Sequence, residues 1–131
     1  MPLNVAVIGL GVGEQHARAF AARDDCRVAW LYDLDAAKAE RLAADLGQGR
    51  VAESYDQVLA DPAVDIVSIA TFDHLHFDEV CRAFDVGKHV FVEKPLCRTA
   101  AEVDALRARW AKAGKEPVEL GIGQRDVAGR D

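Results

Sequence analysis

Apolar residues fall along this chain in short runs, separated by stretches with helical spacing. Asn4-Val5-Ala6-Val7-Ile8, β-branched and closed by Gly9, predicts a strand buried on both faces. Ala17, Phe20 and Ala21 then mark one face of a helix. Arg27 to Tyr32 predicts a second strand, and Ala39, Leu42, Ala43 and Leu46 recur at i, i+3, i+4, i+7, with Gly47 as a left-handed stop. Arg50 to Glu53 is a short strand. Ser54-Tyr55-Asp56-Gln57 has the form of a capping box opening a helix that ends before Pro62. Asp65 to Ala70 is a strand. Asp73 is placed to cap a helix with Phe77, Val80, Cys81 and Phe84 inward and Gly87 as its stop. Lys88 to Val92 is a strand. Thr99-Ala100-Ala101-Glu102 is a second capping box, for a helix with Val103, Leu106 and Trp110 inward and Gly114 as its stop. Pro117 to Ile122 closes the series.

Strands alternating with helices argue for parallel βαβ units with helices on both faces. Right-handed crossovers make this an α/β, doubly wound, mostly parallel sheet of the Rossmann type, with residues 1–131 as one domain.

Composition narrows the function. Half of the 131 residues are hydrophobic and 29% are charged, which is globular and excludes a disordered or fibrous chain. Acidic residues outnumber basic ones 22 to 16, and the Lys and Arg are scattered, which argues against nucleic acid as a partner. No apolar run approaches the ~18–20 residues of a membrane span, and the start lacks a secretory pattern. Cys26, Cys81 and Cys97 form no CxxC pair and read as reduced thiols of a cytoplasmic protein. With two serines, one a cap and one inside a strand, no nucleophile elbow is present.

The glycine loop carries the first chemical signal. Gly9-Leu10-Gly11-Val12-Gly13 lies between a strand and a helix. Gly9, Gly11, Val12 and Gly13 are the candidates for a pyrophosphate cradle, because glycine permits the turn and the close approach, and the helix start offers unpaired amides. Asp33 ends the second strand 22 residues after Gly11. A carboxylate about 20 residues on accepts from adenosine ribose hydroxyls and repels a 2′-phosphate, which favours NAD over NADP. The third glycine comes one residue earlier than in G-x-G-x-x-G, and Glu14, in the last slot, is expected to point away from the phosphates.

Two further segments carry a resemblance. Ala70-Thr71-Phe72-Asp73-His74-Leu75-His76 follows the fourth strand, and Gly87-Lys88-His89-Val90-Phe91-Val92-Glu93-Lys94-Pro95 includes the fifth. With the glycine loop and His16, they resemble the N-terminal half of the Gfo/Idh/MocA (glucose–fructose oxidoreductase / inositol dehydrogenase) family. The resemblance implies an oxidoreductase moving hydride between nicotinamide and a sugar, cyclitol or sugar-nucleotide C–OH. It implies that Ala70, Thr71, Phe72 and His76 lie along the cofactor, with Phe72 and Asp73 where the family commonly has Pro and Asn. It puts Glu93 and Lys94 beside the nicotinamide, and it makes Lys94 the catalytic candidate. At the carboxyl edge of a sheet an ammonium can stabilise charge developing on a substrate oxygen. Gln124-Arg125 resembles the exit towards the family's second domain.

The sequence ends at Asp131, so the expectation is a cofactor domain without that second domain. A sugar-like substrate would then need a complementing domain, and a non-catalytic nucleotide-binding or interaction module is the alternative. Self-association is expected through the face left uncovered around Phe72, Phe91 and the last strand. His74 and His76, two apart at a helix start, do not share a face, so no metal site is expected. His16 and His89 read as packing residues.

Overall fold

The sheet grows outward from its first strand and then returns to the other side of it. In a computed structural model, described over residues 2–72, 75–92 and 99–113, the order is β1 (Leu3–Ile8), α1 (Gly13–Ala21), β2 (Cys26–Tyr32), α2 (Ala36–Leu46), β3 (Arg50–Val51), α3 (Tyr55–Leu59), β4 (Ile66–Ile69), α4 (His76–Asp85), β5 (His89–Val92) and α5 (Ala100–Ala113). The spatial order is β3-β2-β1-β4-β5, and every pair is parallel. The direction of winding therefore reverses between β1 and β4. A crevice opens there, at the carboxyl ends of the strands.

Alternation along β1 builds the two faces. Val5 and Val7 join Leu10, Ala17, Phe20, Leu31 and Leu42 in one fully apolar cluster. Ala6 and Ile8 join Trp30, Val67, Ile69, Val80, Phe84 and Leu106 in the other. Burying each of the larger aliphatic side chains is worth about 1.5–3 kcal/mol, so β1 anchors both layers. One irregularity has no counterpart in the period-two pattern. The β1–β2 register steps between Val5 and Ala6, from Val28 to Trp30. Ala29 and Trp30 consequently both lie on the side of the second cluster.

Local signals set most element ends. Asp35 caps α2 by accepting from the Lys38 amide, and the two expected stops, Gly47 and Gly87, take positive φ of 66° and 75°. Ser54 Oγ accepts from the Gln57 amide at 3.1 Å, but Gln57 Oε1 returns to the Glu53 amide (2.7 Å), one residue before the position a capping box uses. The Glu102 amide donates to Thr99 Oγ1 at 3.2 Å. The α4 start differs from expectation: its N-cap is Leu75, which has no side-chain acceptor, and Asp73 lies outside the described residues. In α5 Leu106 is buried, whereas Val103 and Trp110 are half-buried. Gly114, the strand expected over 117–122, Gln124 and Arg125 also lie outside the described residues.

The Gly87-Lys88-His89 motif has a structural task. Lys88 is only 4% exposed, and its Nζ donates to the carbonyls of Asp61 (2.8 Å) and Val64 (2.9 Å). Trp30 Nε1 donates to Asp61 Oδ2 at 2.8 Å, and that bond leads the causes holding the Asp61 carboxyl below its ordinary range. The His89 ring packs on Trp110, with centroids 5.2 Å apart. A buried ammonium thereby ties the entry of β5 to the loop between α3 and β4. Cys26 and Cys81 are free and buried, and burial pushes both thiols up, consistent with inert packing residues; Cys97 lies outside the described residues.

Candidate functional site

The glycine loop follows directly from the β1 backbone. Gly9 has φ +85°, and a Cβ there would lie 2.7 Å from the Ala70 carbonyl oxygen and 3.0 Å from the Thr71 nitrogen. No L side chain fits that contact. The loop is pressed against the carboxyl end of β4, so the two walls of the crevice touch at Gly9. Gly13 is the helix-packing glycine: its Cβ would meet Ala70 Cβ at 3.2 Å and Val7 Cγ1 at 3.4 Å. The early position of the third glycine still provides close helix–sheet packing.

Gly11 is different. A Cβ there would meet nothing within 4 Å, and the residue is exposed. The free approach lies on the outer side of the loop, where a pyrophosphate would come. Val12, half exposed, is the N-cap of α1 and offers no side-chain acceptor. The first amides of a helix have no intrahelical partner, and with the helix dipole they favour an anion. Glu14 does not oppose it: its carboxylate pairs with Arg18 one turn further along α1 (3.3 Å), as expected for a side chain turned away.

Asp33 is half-buried at the end of β2. Its Oδ2 accepts from the Leu10 amide at 2.8 Å, and its Oδ1 accepts from the Asp35 amide at 2.8 Å. The carboxylate thus clamps the glycine loop to the start of α2. Each carboxylate oxygen keeps a further lone pair, enough for ribose hydroxyls. The Leu10 amide, silent in the sequence because its side chain is simply apolar, is the group that joins Asp33 to the loop.

Across the crevice, the Ala70 amide donates to the Ile8 carbonyl (2.8 Å), continuing the sheet into the loop. Phe72 is exposed (67%), as is Leu34 (85%) beside Asp33. His76 is 1% exposed, and its Nε2 lies 3.0 Å from the Thr71 carbonyl oxygen. The ring therefore acts on the crevice through the Thr71 backbone. The Thr71 hydroxyl donates to Glu79, whose own carbonyl accepts from Tyr55 OH at 2.6 Å. Sequence reasoning passed over Glu79; its one signal is its place three residues after His76, on the same face of α4. Glu93 and Lys94 follow β5 immediately and lie outside the described residues, as do Asp73 and His74.

One sequence reading changes here. Phe91 is not part of an open face: it is half-buried, with its ring edge-on to His16 (5.1 Å) and Phe20 (5.8 Å), because β5 packs against α1. His16 also approaches Ser68 Oγ at 3.4 Å, in line with a packing role. No group of three metal-ligating side chains occurs among the described residues, and no helix among them is long and apolar enough to cross a membrane.

A parallel sheet with a glycine turn after its central strand, an acid at the end of the next and the crevice between β1 and β4 defines a dinucleotide-binding Rossmann domain. Residues 3–121 match the model of the oxidoreductase family Gfo/Idh/MocA, NAD-binding Rossmann fold. The chain belongs to this family, and it is the NAD-binding domain of that fold. It is 33% identical to scyllo-inositol 2-dehydrogenase (NAD(+)) of Bacillus subtilis over 114 residues, covering 86% of this chain and 33% of that protein. GenD2 from gentamicin A biosynthesis, solved in complex with NAD, superposes with a TM-score of 0.81 at 32% identity over 86% of this chain and 32% of its own. The myo-inositol dehydrogenase of Lactobacillus casei, solved with NAD(H) and myo-inositol, gives a TM-score of 0.81 at 27% identity over 92% and 37%. The chain spans about a quarter to a third of the length of the first curated relatives it matches.

Proposed function

We propose that this domain holds NAD(H) for a dehydrogenase acting on a sugar-like or cyclitol hydroxyl. Gly9, Gly11, Val12 and Gly13 receive the pyrophosphate, Asp33 the adenosine ribose, and Ala70, Thr71 and Phe72 line the path to the nicotinamide, with buried His76 behind them on the Thr71 carbonyl and Glu93 joining the set by its place in the sequence. The observation that carries this reading is the contrast within one loop. Gly9 and Gly13 are packed against Ala70, while Gly11 faces open space beside an uncapped helix start. The nicotinamide, when bound, supplies the hydride chemistry. The protein's part is to fix the dinucleotide and exclude competing geometries. Lys94, next but one to the last residue of β5 in the sequence, would hydrogen-bond the substrate oxygen and stabilise charge developing on it. The family's inositol-directed relatives support a polyhydroxylated substrate, taken with a complementing domain. Reduced, buried Cys26 and Cys81 suit a cytoplasmic setting.

The test is a titration with NADH and NADPH followed by nicotinamide fluorescence. Saturable binding that favours NADH is expected. Asp33→Asn, which keeps one acceptor for the Leu10 amide and removes the charge, should weaken NADH about tenfold, equivalent to about 1.4 kcal/mol, and narrow the preference over NADPH. Failure of both nucleotides to bind would overturn the reading. Binding without turnover of any polyol would leave the nucleotide-binding module as the better description.

The exposed Phe72 supports self-association through the crevice rim. Light scattering should show a concentration-dependent rise in mass that Phe72→Ser lowers. A monomer at all concentrations would refute it.

A further inference from the structure

The carboxyl end of β4 is tied to α4 by polar contacts that cofactor binding alone does not explain. The Thr71 hydroxyl donates to Glu79 Oε1, and the Thr71 carbonyl oxygen lies 3.0 Å from His76 Nε2. Tyr55 OH donates to the Glu79 carbonyl at 2.6 Å. Burial first, and then the Glu79 carboxylate, push the Tyr55 phenol up, so it stays protonated and remains a donor. The Arg82 guanidinium covers the Tyr55 ring at 5.0 Å and pairs with Asp56. Glu79 is thus held at its backbone by a fixed donor, and its carboxylate addresses the loop.

A hydroxyl has one proton and two acceptor lone pairs, whereas an ionised carboxylate can only accept. Once the Thr71 proton points at Glu79, the hydroxyl has acceptor capacity alone to offer. Thr71 is half-buried, and its backbone is part of the wall that meets Gly9. A phosphate at that point would meet an acceptor backed by a negative charge. An N–H or O–H group would meet an oriented acceptor.

Resting on the NAD(H) reading above, we infer that Glu79 is a positioning residue that sets Thr71 Oγ1 as an acceptor for a donor group of the bound dinucleotide. The donor is a ribose hydroxyl or the nicotinamide carboxamide. The two differ in one respect that can be measured: ADP-ribose keeps the ribose hydroxyls and lacks the carboxamide.

The full chain is titrated with NADH, and with ADP-ribose by calorimetry. Thr71→Val should weaken NADH about tenfold, the loss of one well-placed hydrogen bond, and Thr71→Ser should restore it to within about twofold. Glu79→Met, which keeps bulk without an acceptor, should weaken NADH about threefold, yet have no further effect in the Thr71→Val background, since coupled residues do not add. Glu79→Gln, which keeps an oxygen acceptor, should bind within about twofold of the parent chain. Thermal melting of every variant is recorded alongside. A purely structural role would lower the melting temperature in both backgrounds and be insensitive to Thr71. Equal weakening of ADP-ribose by Thr71→Val assigns the donor to a ribose hydroxyl; an effect confined to NADH assigns it to the carboxamide. A parent chain that binds NADH, with Glu79→Met acting equally in both backgrounds, overturns this inference alone. A parent chain that binds neither nucleotide overturns the NAD(H) reading and this inference with it.

Discussion

The two walls of the crevice are built from different materials. The β1–α1–β2 wall is made of backbone: three glycines, an uncapped helix start and the Leu10 amide held by Asp33. The β4–α4–β5 wall is made of side chains: Thr71 at its rim, Glu79 and buried His76 behind it, Tyr55 of α3 buttressing Glu79, and Lys88 beneath. At Gly9 the first is shaped by what a Cβ would strike, so only glycine serves there. The second is held by hydrogen bonds over distance, so several residue types could serve. A backbone wall suits a ligand that every member of a fold class shares. A side-chain wall can be altered without disturbing the sheet.

The sharpest way to break this contrast is Gly9→Ala. The methyl would meet the Ala70 carbonyl at 2.7 Å in a backbone conformation alanine disfavours. A loss of about 3 kcal/mol in urea unfolding is expected, together with loss of NADH binding. Stability unchanged by this substitution would mean the walls do not touch there.

The corresponding change beneath the other wall is Lys88→Met. It leaves the Asp61 and Val64 carbonyls without their buried donor, at a cost of about 2 kcal/mol. The folded fraction should bind NADH with unchanged affinity, because Lys88 lies below the crevice. Weaker binding at full folding would place Lys88 in the site.

Gly11→Ala separates fold from ligand within the first wall. The space around Gly11 is open, so unfolding free energy should shift by less than about 0.5 kcal/mol. NADH binding should nevertheless fall severalfold, because the methyl would stand on the side of the loop proposed for the pyrophosphate. Gly9→Ala and Gly11→Ala moving stability equally would erase the distinction.

The smallest effect concerns acid. The Trp30 Nε1 bond, first among the causes, lowers the Asp61 pKa in the folded state. A depressed carboxylate contributes stability above its unfolded pKa and loses it as pH falls through the folded value. Urea midpoints should therefore drop as pH falls below the ordinary carboxylate range. Asp61→Asn should flatten that part of the profile by a few tenths of a kcal/mol, since Asp61 is only half-buried.

Most of the frame was legible in the chain because its causes are local. Two-residue alternation and 3.6-residue spacing mark the elements, and glycine marks turns that no other residue makes. Thus β1, α2, β4 and the stops at Gly47 and Gly87 emerged where expected. The glycine loop and Asp33 were legible for the same reason, each being a residue type required at one place on the backbone. What local reading missed depends on partners distant in sequence. Phe91 looked open until α1 was seen against β5. The N-cap of α4 is Leu75, which has no side-chain acceptor, and the N-terminal half of the helix brings in His76 and Val80, both buried, Val80 by partners distant in sequence.

The sequence by itself determined the parallel α/β frame, the glycine turn after β1 and the acid at the end of β2, because each follows from short-range sterics or from a residue type required at one place on the backbone. Tertiary structure alone decided that Asp33 grips Leu10, that Gly9 meets Ala70, that Lys88 reaches back to Asp61 and Val64, and that Glu79 addresses Thr71. Those contacts join residues on separate elements. Their distances exist only once the strands have paired and the helices have packed across them.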